Sequence, residues 1–409
     1  MLSLLIVLCL IGQSSAAAII PRLAGCKITI RQHLSNPQPV LVLQNNAISH
    51  IDAIVLPEDV NGTITFRSGD QIDVACPGGE VKLYGTTINE DTVPISCFFG
   101  TIFKVNEKFV PFQNITCSVT PKSTARLSGK ECSVNYKEIE IGFQIKERFI
   151  NHIWTCYDEK LQHSLYAVTY LVHNIAGKQT RVPRPRFKEA NFYYTDQKVD
   201  RLYSRKVQTE TINNILGLKH NGSSIIHPTG NIFLSTGHYA PKADFVFGSQ
   251  QRLTFYYVNA APQWQNLNGG NWNTMEENTR KLAAQRKVDL IVFTGGHGVM
   301  THPDVSGVDQ QLFLWVGKNG EHGIPVPAFY YKVIYEPISE KGIALVGRNN
   351  PHKEVDKSDY ICQDVCDSVK WLTWKQSNVT LGLVYCCEVD DFRRSVTVLP
   401  KFTVKSLLA

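Results

Sequence analysis

After residue 18 the sequence has no apolar run near the roughly 20 residues that a helix needs to cross a bilayer, which argues against a membrane-spanning helix. Internal repeats and low-complexity tracts are also missing, so a repeat architecture is excluded. Cys362 and Cys366 are spaced like half of a zinc site, but no second cysteine or histidine pair follows at metal-ligand spacing. The first eighteen residues, MLSLLIVLCLIGQSSAAA, contain no Lys, Arg, Asp or Glu. The formal net charge of +6 therefore belongs to the remainder, and a mild positive balance suits a polyanionic partner without requiring one.

Those eighteen residues carry an apolar run from Leu4 to Ile11 and small residues from Ala16 to Ala18, the pattern of a secretory signal peptide with its cleavage site. Its removal takes Cys9 and leaves ten cysteines, at 26, 76, 97, 117, 132, 156, 362, 366, 386 and 387. An even count suits an oxidising compartment, so structural disulfides are expected in a secreted, extracellular protein that is not membrane-bound. Sequons at Asn61, Asn114, Asn221 and Asn378 are compatible with that route.

The length allows one large domain or two, and two are expected. Residues 19–156 hold short alternating segments (KITI, AIVL, TITF, EVKLYG, EIEIGFQI) broken by Gly, Pro, Asn and Asp, and six of the ten cysteines: a β-rich, disulfide-containing module. Residues 157–409 read as mixed helix and strand. YAVTYLVHNI is strand-like, and a basic stretch from Arg181 to Lys206 follows, with eight Lys/Arg against three Asp/Glu and five interleaved aromatics. Aromatic and basic residues together suit nucleic acid, although such a run is commonly only a solvated face. LTFYYVN at 253–259 has strand composition, and a Pro/Asn/Gly-rich loop is expected to follow it as far as Asn271. Trp272, Met275, Thr279 and Leu282 recur at helical spacing, which predicts a helix from about Trp272 to Arg286. LIVFTGG and GIPVPAFYYKVIY supply further strands.

Two blocks carry the chemistry, TGHYAPKADF at 236–245 and YYVNAAPQWQNLNGGNWNTMEENTRKL at 256–282. They resemble the DNA/RNA non-specific endonuclease family, whose signature is Asp-Arg-Gly-His-x-x-Pro, then Asn-x-x-Pro-Gln, Asn-x-Gly-x-Trp and a helix bearing Glu. The resemblance runs from about residue 165 to 350, through VFTGGHGV, IPVPAFYYKV and ALVGRN. In flavour it is nearest the arthropod extracellular branch of double-stranded-RNA-degrading nucleases. It implies an α+β fold: a ββα-metal (His-Me finger) nuclease behind an N-terminal disulfide-rich β module. It also implies sequence-independent binding of RNA and DNA.

By that resemblance His238 is the general base, which a neutral imidazole can be at physiological pH. Asn268 is the direct protein ligand of one Mg²⁺, which favours oxygen, keeps most of its waters and can be replaced by Mn²⁺. A bound water can protonate the leaving oxygen, and Glu276 orients the water shell. Arg280, one turn later, pairs with Glu276 or meets phosphate. Asn259 braces the loop. RPRFK at 184–188 matches the family's Arg-Pro-x-Phe-Lys, which makes Arg184 the arginine at the scissile phosphate, with Arg186 as substitute and Lys242 as a further substrate contact. His297 in TGGHGV lies in a family loop where histidine is not the base and is read as structural.

The motif breaks at one place: the family's Asp-Arg is here Ser235-Thr236. A guanidinium there would offer bidentate hydrogen bonds to a phosphate whose charge grows in the transition state, and Thr236 cannot. Loss of one such contact costs about 2.7 to 4 kcal/mol, while binding, shared among other cations, should suffer much less. Three readings follow: an active endonuclease in which Arg184, Arg186 or Lys242 compensates; a nucleic-acid-binding protein with weak residual cleavage; and a scaffold reused for protein contacts. Retention of His238, Asn268 and Glu276 counts against the third.

Overall fold

A computed structural model describes residues 25–218, 224–376 and 378–409. The expected signal peptide and the sequon at Asn221 lie outside these residues.

The fold is α+β and centres on an antiparallel nine-stranded sheet. Its order is Thr124–Ser133, Tyr136–Ile145, Arg148–Asp158, His163–Leu171, Leu290–Val299, Pro327–Glu336, Lys341–Arg348 and Val384–Cys387, with the short Ser406–Leu407 parallel to Lys341–Arg348. The later strands read as continuous apolar runs because both faces are covered. Val292, Tyr330, Ile334, Ile343 and Leu345 face one core with Trp272 and Met275, while Phe293, Tyr331, Val333, Ala344 and Val346 face another with Tyr385 and Phe392. The sheet continues across residue 156: His163–Leu171 pairs with Arg148–Asp158 on one side and with Leu290–Val299 on the other.

The N-terminal region adds a five-stranded sheet of Val40–Leu43, Gln71–Ala75, Thr92–Phe99, Ile102–Val105 and Lys108–Pro111. Disulfides Cys26–Cys97 and Cys76–Cys117 close it, and Cys132–Cys156 joins two strands of the central sheet. Cys362–Cys387 and Cys366–Cys386 fasten the C-terminal segment. All ten cysteines among the described residues are thus paired.

Two local expectations need correction. LTFYYVN is not a strand: Leu253 ends the helix Gly248–Leu253, Tyr256 makes a single bridge to Lys188, and Tyr257–Asn259 forms a turn. The strand begins afterwards, at Ala260–Trp264, so the expected loop to Asn271 is a strand followed by a helical turn at Gln265–Leu267 and a wider π turn at Asn268–Trp272. The physical reason is burial without alternation. Every residue from Leu253 to Asn259 is buried, so the apolar composition reports enclosure on all sides rather than an extended backbone. Similarly, AIVL is a helix end at Ala53 and an isolated bridge at Ile54.

The helix Asn273–Arg286 forms where its spacing predicts. Met275, Leu282 and Ala283 pack into the first core, and Lys287 ends it in the left-handed conformation. Its entry requires a glycine. A Cβ on Gly270 would lie 2.5 Å from the Leu381 carbonyl oxygen, so only glycine allows the C-terminal segment to pass so close.

Candidate active site

The histidine motif forms a strand, Leu234–His238, paired antiparallel with Ala260–Trp264 in the register Ser235↔Gln263, Thr236↔Pro262 and His238↔Ala260. Pro262, which cannot donate to a ladder, is tolerated because this pair is only two strands wide. Asn259 anchors the strand end. Its Oδ1 accepts from Ala240 N at 3.0 Å, and its Nδ2 donates to the carbonyls of Ala240 (3.0 Å) and Thr254 (2.9 Å).

His238 is 8% exposed. Its ring packs edge-on against Phe255 and tilted against Phe187, each at 4.9 Å between centroids. Nε2 is buried without a protein partner. Burial first, then the charges of Arg184 and Lys242, push its pKa down to about 3, so the imidazole is neutral at physiological pH. Arg184 is exposed, its guanidinium 5.4 Å from the Phe255 ring centre. Lys242, in the turn after the motif, donates to the Val182 carbonyl, and burial followed by Arg184 and Arg252 lowers its pKa. Arg186 is exposed and makes no ion pair or hydrogen bond among the described residues.

A second group gathers on the helix. Arg280 donates to Asp244 at 2.8 Å and lies 4.0 Å from Glu276, so its guanidinium is held chiefly by Asp244. Glu276 has its pKa raised to about 7: burial and Asp244 raise it, while Lys332, Arg280 and Arg184 oppose them. The charge of Arg184 helps lower the His238 pKa and opposes the rise at Glu276. Lys332 is buried in the sheet strand Pro327–Glu336, with Nζ donating to Thr294 Oγ1 at 2.6 Å.

A third group surrounds the broken motif. Asn268 Nδ2 donates to Ser235 Oγ at 2.9 Å, and Ser235 Oγ donates to the Gln263 carbonyl at 2.8 Å. Ser235, one of the two altered positions, therefore tethers the asparagine. Thr236 is half-buried and makes no side-chain hydrogen bond among the described residues. His297 lies half-buried on the strand Leu290–Val299, with its pKa lowered by burial.

Residues 133–392 match the model of the DNA/RNA non-specific endonuclease family. The chain belongs to that family. A salivary endonuclease of Lutzomyia longipalpis is 28% identical over 83% of this chain and 76% of its own length. The salivary protein Tsal2A of Glossina morsitans morsitans is 26% identical over 94% of each chain. Among solved structures, a chain of the EndoG/EndoGI complex aligns with a TM-score of 0.37 and 16% identity over 63% of this chain and 87% of its own.

Membership in the non-specific endonuclease family implies a divalent metal, and the donor set here fits one. Asn268 Nδ2 is committed to Ser235, leaving the amide oxygen for a hard cation. Both amide atoms of Gln263, the register partner of Ser235, are buried without protein partners. By contrast, the convergence of Asp364, Cys366 and Cys386 is no metal site, because the two cysteines are bonded to each other. Sequence reasoning missed three residues around Glu276 and Asn268: Asp244, Lys332 and Gln263. Asp244 and Gln263 stand inside the motif blocks, and a lysine amid the apolar FYYKVIY was the available signal for Lys332, since a buried charge needs a partner.

Proposed function

We propose that the chain is a secreted, Mg²⁺-dependent endonuclease that cuts RNA and DNA irrespective of sugar and sequence, at a rate reduced by Thr236. The two-part division is retained, with a β module over 19–156 and the nuclease over 157–409, the latter sharing its sheet with strands from Thr124 onward. The observation that carries the reading is His238: a neutral imidazole with a buried, unpartnered Nε2, beside two cations and in one family motif with Asn268. The relatives named salivary endonucleases support an extracellular site of action.

In this reading Arg184 and Lys242 bind the phosphate, and the His238 imidazole takes the proton of the attacking water. Two of the three causes that depress His238 are these same cations. An arriving phosphate offsets them, so the base becomes more basic when substrate is bound. Asn268 and Glu276 are the residues that would hold Mg²⁺, which when bound supplies charge neutralisation at the leaving oxygen. Ser235 orients Asn268, while Asp244 holds Arg280 against the helix and Lys332 opposes protonation of Glu276. Arg186 is available to a neighbouring phosphate.

A second reading, nucleic-acid binding with little cleavage, is favoured by the uncharged Thr236. One experiment separates them: double-stranded RNA and plasmid DNA are incubated with the protein and with His238→Ala, in Mg²⁺ and in EDTA, beside binding at matched salt. Cleavage that needs both Mg²⁺ and His238 supports the enzyme. Binding without cleavage supports the second reading, and absence of both refutes each.

A further inference from the structure

Between the N-terminal module and the nuclease lies a cavity of about 180 Å³, lined by Asn36, Gln38 and Thr120 on one side and Arg181, Ser249 and Arg252 on the other. The nuclease wall is firmly built. Gln179 N donates to the Val246 carbonyl, its Oε1 accepts from Gly248 N, and Gln251 Nε2 donates to the Gln179 carbonyl, each at 2.8 Å. Directly after this clamp Arg181 takes a φ of 60°, the left-handed region that a residue with a side chain rarely occupies. Such conformations persist only where surrounding contacts enforce them, and they cluster at ligand sites.

The cavity is also unneutralised. The arginines that meet carboxylates are Arg126, Arg280, Arg348, Arg393 and Arg394. Among the described residues, none of Arg181, Arg184, Arg186 or Arg252 has such a partner. Lys242, in the turn after the His238 motif, connects the cavity to the candidate active site, because its ammonium donates to the carbonyl of Val182, which lines the cavity. A gap left by imperfect packing has no reason to gather like charges, which repel and destabilise the free protein. A bound anion would relieve that repulsion.

We propose that this cavity is a second phosphate subsite, built jointly by the N-terminal module and the nuclease, which takes a backbone phosphate of the same nucleic acid away from the one at His238. It rests on the nucleic-acid reading above and gives the module a part in the substrate footprint. Arg181 and Arg252 supply the cations, and Asn36, Gln38, Thr120 and Ser249 supply polar groups that read no base.

The test measures duplex binding in EDTA across a salt series for the full chain, Arg252→Gln, Arg181→Asn (asparagine tolerates a left-handed backbone), the double variant, and Lys401→Gln. Lys401 is an exposed control adjoining Phe402, which packs on the other core. Each phosphate contact contributes about −0.9 to the slope of log K against log salt, so the double variant, which gives up one phosphate, should flatten it by about 1. It should weaken a long duplex but not an oligonucleotide too short to reach both sites. Arg252→Lys should restore the slope, and thermal melts identify any variant that fails to fold. Unchanged slope and affinity in the folded double variant overturn the subsite, as does an equal effect from Lys401→Gln. A wild-type chain with no salt-sensitive binding refutes the underlying nucleic-acid reading instead.

Discussion

At the scale of single residues, the proposed site is the family's constellation without one of its cations, and Thr236→Arg is the direct test. A guanidinium there would meet the phosphate mainly as its charge grows, so the gain should fall on the chemical step rather than on ground-state binding. Cleavage should rise about 10-fold or more, roughly 1.4 kcal/mol of transition-state stabilisation, with little change in affinity. Single-turnover rates beside Kd measure both, and the gain should vanish in EDTA or with His238→Ala. A silent Thr236→Arg in a chain that already cuts fast would mean that another cation has taken over. Ser235→Ala tests the tether: it removes the hydrogen bond to Asn268, so the concentration of Mg²⁺ giving half-maximal cleavage should rise several-fold. An unchanged metal titration would show that Asn268 is held without it.

At the scale of elements, the turn Asn268–Trp272 and the helix after it depend on the C-terminal segment. Asn271 donates to the carbonyls of Lys375 (3.1 Å) and Gly382 (2.8 Å) and accepts from Lys375 N (2.9 Å), and Asn278 is paired with Thr373. Asn271→Ala would leave buried backbone groups unpaired at about 1 to 3 kcal/mol each. The melting temperature should drop by several degrees and cleavage should fall more than binding; an unaltered melt would show that the segment is not a brace. None of this was legible beforehand. Helix Asn273–Arg286 could be read because Trp272, Met275, Thr279 and Leu282 keep its period, and the His238 strand because its motif is local. LTFYYVN misled because total burial erases the alternation that distinguishes strand from turn. Asp244 was invisible as the partner of Arg280 because the two are 36 residues apart and meet only through the fold.

At the scale of the whole molecule, buried histidines set an acid limit. His50 and His163 both have pKa values lowered to about 4, with burial the first cause in each. The unfolded chain, with histidines near 6.5, binds more protons between about pH 4 and 6.5. Stability should be full above pH 6.5 and fall as the pH drops towards 4. Melting temperatures from pH 7.5 to 4.5 check this, and a flat profile would contradict the burial of these rings. His50 stacks on His152 of the central sheet at 5.0 Å, so acid should loosen the seat of the helix His50–Ala53 on that sheet. The boundary near residue 156 marks no break in the structure, because the sheet continues across it.

Cys386 and Cys387 are consecutive on one strand, so their side chains leave on opposite faces, one bonded to Cys366 and the other to Cys362. From this double stitch the chain runs directly to Thr373, Lys375 and Gly382, the residues that hold the Asn271 turn and its helix. The shape of the turn Asn268–Trp272 is thus secured by bonds that form only where thiols can be oxidised. A newly made chain in a reducing cytosol lacks those bonds. For the nuclease proposed above, the producing cell's own RNA would then be spared by the redox state of its cytosol until the turn is fastened elsewhere.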